Sequence, residues 1–447
     1  MGPVESARRL TDETPSDGDS RTDFQRDRDI VLYTSALQRL SGITQVVSAG
    51  TGHVFHNRLT HTLQVAQVGR RLSEKLQIKQ PELAKQYGGL HEDVVEAACL
   101  AHDLGHPPFG HVAESVLNRL AGSEIEGFEG NAQSFRIVSE LAFRSPDYSG
   151  LNLTRATLRA ILKYPWSYAA RPAEKSDPSK KKNKWGAYKS EAQAFEHATG
   201  HATGPVARCA EAEIMDWADD LTYSVHDVED FYRAGLIPLH ALRPQAKGVP
   251  ATSERGRFLE YVWAHRDDID ELRGFSQVDL ESMLRELIFA TFTLDGPYEG
   301  TRVQRAGLRT FTSNLVDRYI NGLKLCETKT TGEVVEKNQQ LQSEVALLKH
   351  LTWFYVIEAA SLATQQHAQK QIIKYLYAVL RNEARRRPTN LLPPYYRERL
   401  KSIPPGDNQE KRVVVDLIAG MTEAQATAVY QRLNGIVAGS VLDKVLV

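Results

Sequence analysis

From about Phe24 onward apolar residues return every three or four positions, a period that admits helices and little else. In DIVLYTSALQRL the series is Ile30, Leu32 with Tyr33, Leu37 and Leu40. A Gly-containing turn, SAGTG, separates it from NRLTHTLQVAQVGRRLSEKLQ. There Leu59, Leu63, Ala66, Leu72 and Leu76 form most of one stripe, widened by Val65 and Val68. A third helix is predicted in EDVVEAACLAHDLG. Gly105 and the pair Pro107–Pro108 end it, because proline lacks the amide hydrogen that a helix needs. NAQSFRIVSELAF, TRATLRAILKY, EAEIMDWADDLTYSVHDVEDFYR and the long QLQSEVALLKHLTWFYVIEAASLATQQHAQKQIIKYLYAVLRNE repeat the character. Alternating stretches are few and short. The chain is predicted to be all-α, with one small hairpin around GHVF.

The totals narrow the setting. Of 447 residues, 41% are hydrophobic and 25% charged, which suits a globular protein with a sizeable core. The net charge of −1 gives no pull toward nucleic acid or a membrane surface, so any anion site must be local. Cys99, Cys209 and Cys326 are far apart and form no CxxC pair, which argues against a disulfide framework or a thiolate zinc site. No apolar run approaches the roughly 20 residues of a membrane span. A cytoplasmic, membrane-free protein is expected. Residues 1–22 read as a disordered polar tail, 23–240 as a helical core and 241–447 as a C-terminal helical region packing on it. The Pro-, Lys- and Ser-rich segment 171–189 reads as a long basic loop. The apolar C-terminal helices LTWFYVIEAASL and IIKYLYAVL are expected in the core rather than at an interface.

Chemistry concentrates at one helix end. Half of the 14 histidines fall between His53 and His111. Val95, Ala98, Cys99 and His102 share an inward face, and Asp103 lies about 100° further round. On the preceding helix His61 is in register with Val65, Val68 and Leu72. A lone inward histidine is usually satisfied by a carbonyl, but an ionised Asp103 buried beside two of them is costly without a cation. A divalent metal held by imidazole nitrogens and carboxylate oxygens removes that cost. EIMDWADDLTYSVHDVED supplies a further ligand: Asp219, Tyr223 and Asp227 follow at i, i+4 and i+8 and make one stripe. Asp220 belongs to a different row. An acidic solvent-facing side accounts for Asp216, Glu229 and Asp230.

An isolated His, an adjacent His-Asp pair and a distant Asp resemble the HD metal-dependent phosphohydrolase superfamily. An ordered set of motifs resembles, more closely, the deoxynucleoside triphosphate triphosphohydrolases, of which dGTPases are the best-known members. The motifs are RDRDIVLYTSALQRLSGITQV, HNRLTHTLQVAQVGRRL, AHDLGHPPFGHVAE, GFEGNAQSFRIV, AILKYP, KWGAYKSE, IMDWADDLTYSVHDVED and IAGMTEAQA, across roughly 23–430. The resemblance implies an HD-domain helical core with additional C-terminal helices. It implies a divalent metal (Mn, Mg, Fe, Co, Ni or Zn) on His61, His102, Asp103 and Asp219. It also implies hydrolysis of deoxynucleoside triphosphates to deoxynucleoside and tripolyphosphate. His106, His111 and Glu114 would surround the α-phosphate. Arg58, Lys163, Tyr164 and Lys184 would contact the triphosphate, Gln45 would read the sugar 3′-hydroxyl, Tyr223 would pack on the deoxyribose, and Asp227 would accept a sugar hydrogen bond. A homo-oligomer, with hexamers among the forms relatives take, and a nucleotide activator at a subunit interface are implied as well. Single-stranded nucleic acid would be a further partner, for which the sequence carries no specific signal.

One segment departs from the pattern. Many such enzymes carry a histidine within or just before FExNxQS, where this chain reads EGFEGNAQS, with Gly127 and Gly130 at the candidate positions. Glu129 remains, and could act through water or with His111, so His111 carries more of the acid role. The alternatives are an HD phosphohydrolase acting on another nucleotide, or a catalytically weak nucleotide- or nucleic-acid-binding regulator.

Overall fold

The three-four spacing is realised as helices in a computed structural model that describes residues 7–13, 17–45, 56–172, 184–200, 206–243, 253–327, 332–358, 360–387 and 390–438. The helices that matter most below are α1 (Asp23–Tyr33), α2 (Arg58–Lys79), α3 (Glu92–Ala101), α4 (His111–Ala121), α5 (Gly130–Arg136) and α6 (Arg155–Ile161). They continue with α7 (Ala210–Arg233), α8 (Gln339–Thr352), α9 (Ala360–Arg385), α10 (Gln409–Ala419) and α11 (Glu423–Leu433), with further helices between them. Among the described residues the only sheet is an antiparallel pair, β1 (Leu323–Leu325) and β2 (Val335–Lys337), with Lys324 opposite Glu336. The fold is all-α. The hairpin expected around GHVF lies outside the described residues, although an antiparallel bridge joins Thr44 to Asn57 on either side of it.

The centre is a layer of α2, α3 and α7, with α1 and α6 against α3 and α8 against α7. Val65 and Leu72 of α2 meet Val95, Ala98 and Cys99 of α3 and Ile214, Leu221 and Val225 of α7, all fully buried. Each large side chain so placed contributes about 1.5–3 kcal/mol. The α2 stripe differs from the expected one at its start: Leu63 is 42% exposed, and Arg58, His61 and Thr62 take the inner face instead. Beyond α3 the chain reverses at Gly105, where a Cβ would lie 2.1 Å from the Gly130 carbonyl oxygen, so only glycine lets α5 pass this closely.

A second apolar cluster joins Ala113, Val116 and Leu117 of α4 to Ile373 and Leu376 of α9 and Val414 and Leu417 of α10. Packing therefore does not divide at residue 240. The helices around residues 254–352 share the central core, while α9 and α10 fasten onto α4. In LTWFYVIEAASL and IIKYLYAVL, Leu351, Val356, Leu362, Ile373, Leu376, Tyr377 and Leu380 are buried within the chain, while Trp353 is 38% exposed and Phe354, Tyr355 and Ile372 are half-buried.

The N-terminal segment also differs from expectation where it is described. Arg9 is buried, donating to Asp27 Oδ1 at 2.7 Å and to the Asn152 carbonyl at 2.6 Å. Asp27 is fully buried and also accepts from the Thr154 amide and hydroxyl. A carboxylate so desolvated calls for a cation, and Arg9 supplies one from a stretch whose composition alone suggested disorder.

A buried arginine ties α5 to α10. Arg136 donates to Asp416 Oδ2 at 2.8 Å and also pairs with Glu191. Burial alone would raise the Asp416 pKa, but the Arg136 guanidinium outweighs it and holds the carboxyl below its ordinary value. Its stabilisation is thus complete above the unfolded-state value of ~3.9 and is lost as pH falls through the lowered folded value. Asp416→Ala should cost about 3 kcal/mol at neutral pH, because Arg136 keeps a buried, half-paired charge. Urea unfolding checks this, and the gap between wild type and variant should narrow only in acid.

Candidate active site

Three helices converge on one polar cluster in the central layer. The Asn57 side chain caps α2, accepting from the Thr60 amide at 2.9 Å, and the first turn then aims His61 inward. His102 follows the last residue of α3, and Asp103 turns off the helix end beside it. Asp219 reaches them from the middle of α7. One ligand atom from each of His61, His102 and Asp103 lies within 4.8 Å of the others. Asp219 Oδ1 is 3.2 Å from His61 Nε2 and 3.6 Å from His102 Nε2. His102 and Asp103 can face one point because the helix stops at Ala101, just before them.

The donor set suits a divalent cation. His102 Nδ1 lies 2.6 Å from the Cys99 carbonyl oxygen, so Nδ1 carries a hydrogen and Nε2 is the atom of a neutral ring that could bind a cation. That Nε2 is buried and makes no hydrogen bond among the described residues. A carbonyl behind a ring, fixing its tautomer, is the usual support of a metal-binding imidazole.

Cations surround the two carboxylates. Asp103 Oδ2 accepts from Arg58 at 2.7 Å, and Oδ1 lies 3.0 Å from His106 Nδ1. Lys163 spans Asp216 at 2.8 Å and Asp219 at 3.3 Å. Burial opposes ionisation of Asp103, but the neighbouring His102, His106 and Arg58 overcome it and hold the carboxyl well below its ordinary range. For Lys163, burial disfavours the charge, and Asp216 and Asp219 reverse this and hold it well above the ordinary value.

A second group flanks the first. His111 Nδ1 is 2.7 Å from Glu114 Oε2, and the His106 and His111 rings meet edge-to-face at 5.3 Å. Lys184 bridges Glu114 at 2.7 Å and Glu129 at 2.9 Å. Glu129 itself is fully engaged. It caps α5 through the Ala132 amide at 2.9 Å, accepts from Asn131 at 2.8 Å, and does not line the cavity. Its Oε1 also holds Lys184, which lines the cavity. The two glycines also separate. Gly127 has φ +63°, and a Cβ there would lie 2.1 Å from Asn118, whereas a Cβ at Gly130 would sit 3.8 Å from His106 in ordinary contact. Of the two, only Gly130 opens onto this group.

Many of these groups line a cavity of about 510 Å³. Of the side chains predicted for the site, Gln45, Arg58, Lys163, Tyr164, Lys184 and Tyr223 line it together with His102, Asp103, His106, His111, Glu114 and Asp219. His61 approaches from behind the carboxylates, and Asp227 lies behind Tyr223 outside the lining. Asp227 pairs with the Tyr223 hydroxyl, and burial, then Asp230, pushes its pKa well above the ordinary value. Asp216, Glu229 and Asp230 are buried rather than solvent-facing. Asp216 pairs with Lys163 and Arg208, Glu229 accepts from Thr312, and Asp230 Oδ2 accepts from the His56 amide at 2.7 Å. An acidic helix looks exposed by composition when its counter-charges come from distant parts of the chain.

Part of the wall escaped sequence reasoning. Lys349, paired with Asp220 at 2.6 Å, Trp353 and the glutamines Gln365, Gln366 and Gln369 line the cavity from α8, the segment after it and α9. The available signal was a run of glutamines, ATQQHAQ, interrupting an otherwise apolar helix.

The sequence also matches known proteins. Residues 58–224 match the HD domain model, and 335–432 match the phosphohydrolase-associated domain model. A deoxyguanosinetriphosphate triphosphohydrolase-like protein of Streptomyces coelicolor is 37% identical over 94% of this chain and 95% of its own length. A protein of the same description from Bifidobacterium longum is 32% identical over 94% of this chain and 84% of its own, and one from Shewanella woodyi is 28% identical over 98% and 97%.

If His102 and Asp103 hold a metal, His102→Ala and Asp103→Ala should each strip it from the purified protein, as read by elemental analysis after loading with Mn, Co or Zn. Wild-type metal content in both variants would rule the site out.

Proposed function

The chain belongs to the deoxyguanosinetriphosphate triphosphohydrolase-like family of HD-domain phosphohydrolases, and from that premise we propose that it hydrolyses deoxynucleoside triphosphates to deoxynucleoside and tripolyphosphate. One observation carries the reading: His102, Asp103 and Asp219, with His61 3.2 Å from Asp219, face the same cavity as the cations Arg58, Lys163 and Lys184.

His61, His102, Asp103 and Asp219 would hold the divalent ion, which when bound polarises phosphate oxygens and lowers the pKa of water. Arg58 and Lys184 offer charge to the triphosphate, with guanidinium geometry suited to two phosphate oxygens. Lys163 reaches the cavity wall beside Tyr164. Glu114 holds His111 Nδ1, which leaves Nε2 to pass a proton to the leaving 5′-oxygen. His111 is open to the cavity and its side chain is 75% exposed, so a substrate can approach it. Gln45 has a buried Oε1 with no hydrogen-bond partner among the described residues, an acceptor available to a sugar 3′-hydroxyl. Tyr223, backed by Asp227, forms a wall against which a 2′-hydroxyl would crowd.

Gly130 supports a second reading. With no imidazole beside His106 at this point, the protein could bind the nucleotide and turn it over slowly as a regulator. A panel of dNTPs and NTPs with several divalent metals separates the cases. Tripolyphosphate from dNTPs is expected. Pyrophosphate or phosphate would point to another phosphohydrolase, and tight binding without product under every metal would favour the regulator.

Arg58→Ala should keep the metal and lose on the order of a hundredfold in kcat, the usual effect of removing one donor to developing charge. Full turnover in that variant would mean that the triphosphate lies elsewhere.

A further inference from the structure

The motif IAGMTEAQA lies about 200 residues beyond Asp219, yet its corner between α10 and α11 reaches the cavity. Thr422 caps α11 with a reciprocal bond to Gln425, and this leaves the next residue, Glu423, projecting toward the central layer. Its Oε1 accepts from the Thr44 amide at 2.9 Å and the Phe109 amide at 3.3 Å, and its Oε2 accepts from the Thr44 hydroxyl at 2.8 Å. One carboxylate therefore joins two separate loops at the rim. Thr44 precedes Gln45. Phe109 precedes Gly110 and His111.

The surrounding contacts show that this approach is built. A Cβ at Gly42 would lie 2.8 Å from the Thr422 side chain, so the corner seats only against glycine. Arg39 donates to the Met421 carbonyl at 3.1 Å and to those of Leu104 and His106 at 2.6 and 2.8 Å, tying the corner to the turn after Asp103. Phe109 and Gly110 have φ of +68° and +56°. The left-handed region disfavours a phenylalanine, so its amide needs an external partner to hold it.

We propose that Glu423 is a positioning residue of the active site: it fixes Gln45 through Thr44, and His111 through Phe109. The assignment of sugar and proton-transfer roles to those two residues rests on the function proposed above; the clamp itself rests on the contacts of Glu423. The role needs acceptor oxygens and no negative charge. A glutamine whose carbonyl oxygen takes the Oε1 place keeps both amides, and its NH₂ can donate to the Thr44 hydroxyl, whereas alanine loses all three bonds.

The test compares Glu423→Ala, Glu423→Gln and wild type in two readouts. Amide hydrogen exchange, followed by mass spectrometry on peptides spanning Thr44 and Phe109, should quicken in the alanine variant and return toward wild type in the glutamine variant. With dNTP and 2′,3′-dideoxy-NTP as paired substrates, Glu423→Ala should lower kcat/KM by on the order of ten- to a hundredfold, as a displaced catalytic group does. It should also narrow the preference for the 3′-hydroxyl while metal content stays at the wild-type level, and Glu423→Gln should restore most of both. Unchanged exchange in Glu423→Ala, or a glutamine variant as impaired as alanine, overturns the proposal; the second outcome assigns the carboxylate charge to the chemistry. Should the alanine variant not fold, Thr44→Val removes the Oε2 contact alone, and the same 3′-hydroxyl preference reads it. A wild-type protein that hydrolyses neither substrate defeats the proposed function, and exchange still decides the clamp.

Discussion

Carboxylates buried in a helical layer set the terms for the rest of this structure. Asp103 and Asp219 sit where α2, α3 and α7 cross, and each is surrounded by imidazoles and by a long cation from another element, Arg58 or Lys163. In a region of low dielectric, ionised oxygens are tolerated only with such company. The same requirement recurs at Asp27 with Arg9, at Asp416 with Arg136 and at Asp216 with Lys163 and Arg208. Charge pairing across distant segments, on top of apolar packing, ties the peripheral elements to the central layer.

The C-terminal half is part of the site as well as of the scaffold. α9 and α10 pack on α4, the helix that carries His111 and Glu114, while Lys349 and the α9 glutamines complete the cavity wall. The match to a phosphohydrolase-associated domain over 335–432 covers this same region. A helix that begins with a catalytic candidate gains rigidity when its other face is buried, and rigid support is what a site requiring sub-ångström placement needs. The two apolar clusters thus meet at the cavity, one through the helices of the metal-ligating candidates and the other through α4.

Local pattern made much of this legible. The all-helical class followed from spacing alone, and His61 and His102 could be placed inward by register with Val65 and Cys99. Asp219 could be separated from Asp220 by its row with Tyr223. The same reasoning misjudged Asp216, Glu229 and Asp230, because polarity marks a residue as exposed only when no distant partner exists. It also left Arg9 in a disordered tail, because the counter-charge that holds it lies on α1.

By itself the sequence determined the helices, the apolar part of their inward faces and a set of side chains able to bind a cation, since these depend on periodicity and residue chemistry within a few turns. Tertiary structure alone decided which of those side chains share a cavity. It took Glu129 and Asp227 out of the lining and, of the two glycines, opened only Gly130 onto His106. It also brought Glu423 across the chain to Thr44 and Phe109. Those outcomes depend on where separate helices cross and how closely their backbones approach, quantities that no local periodicity encodes.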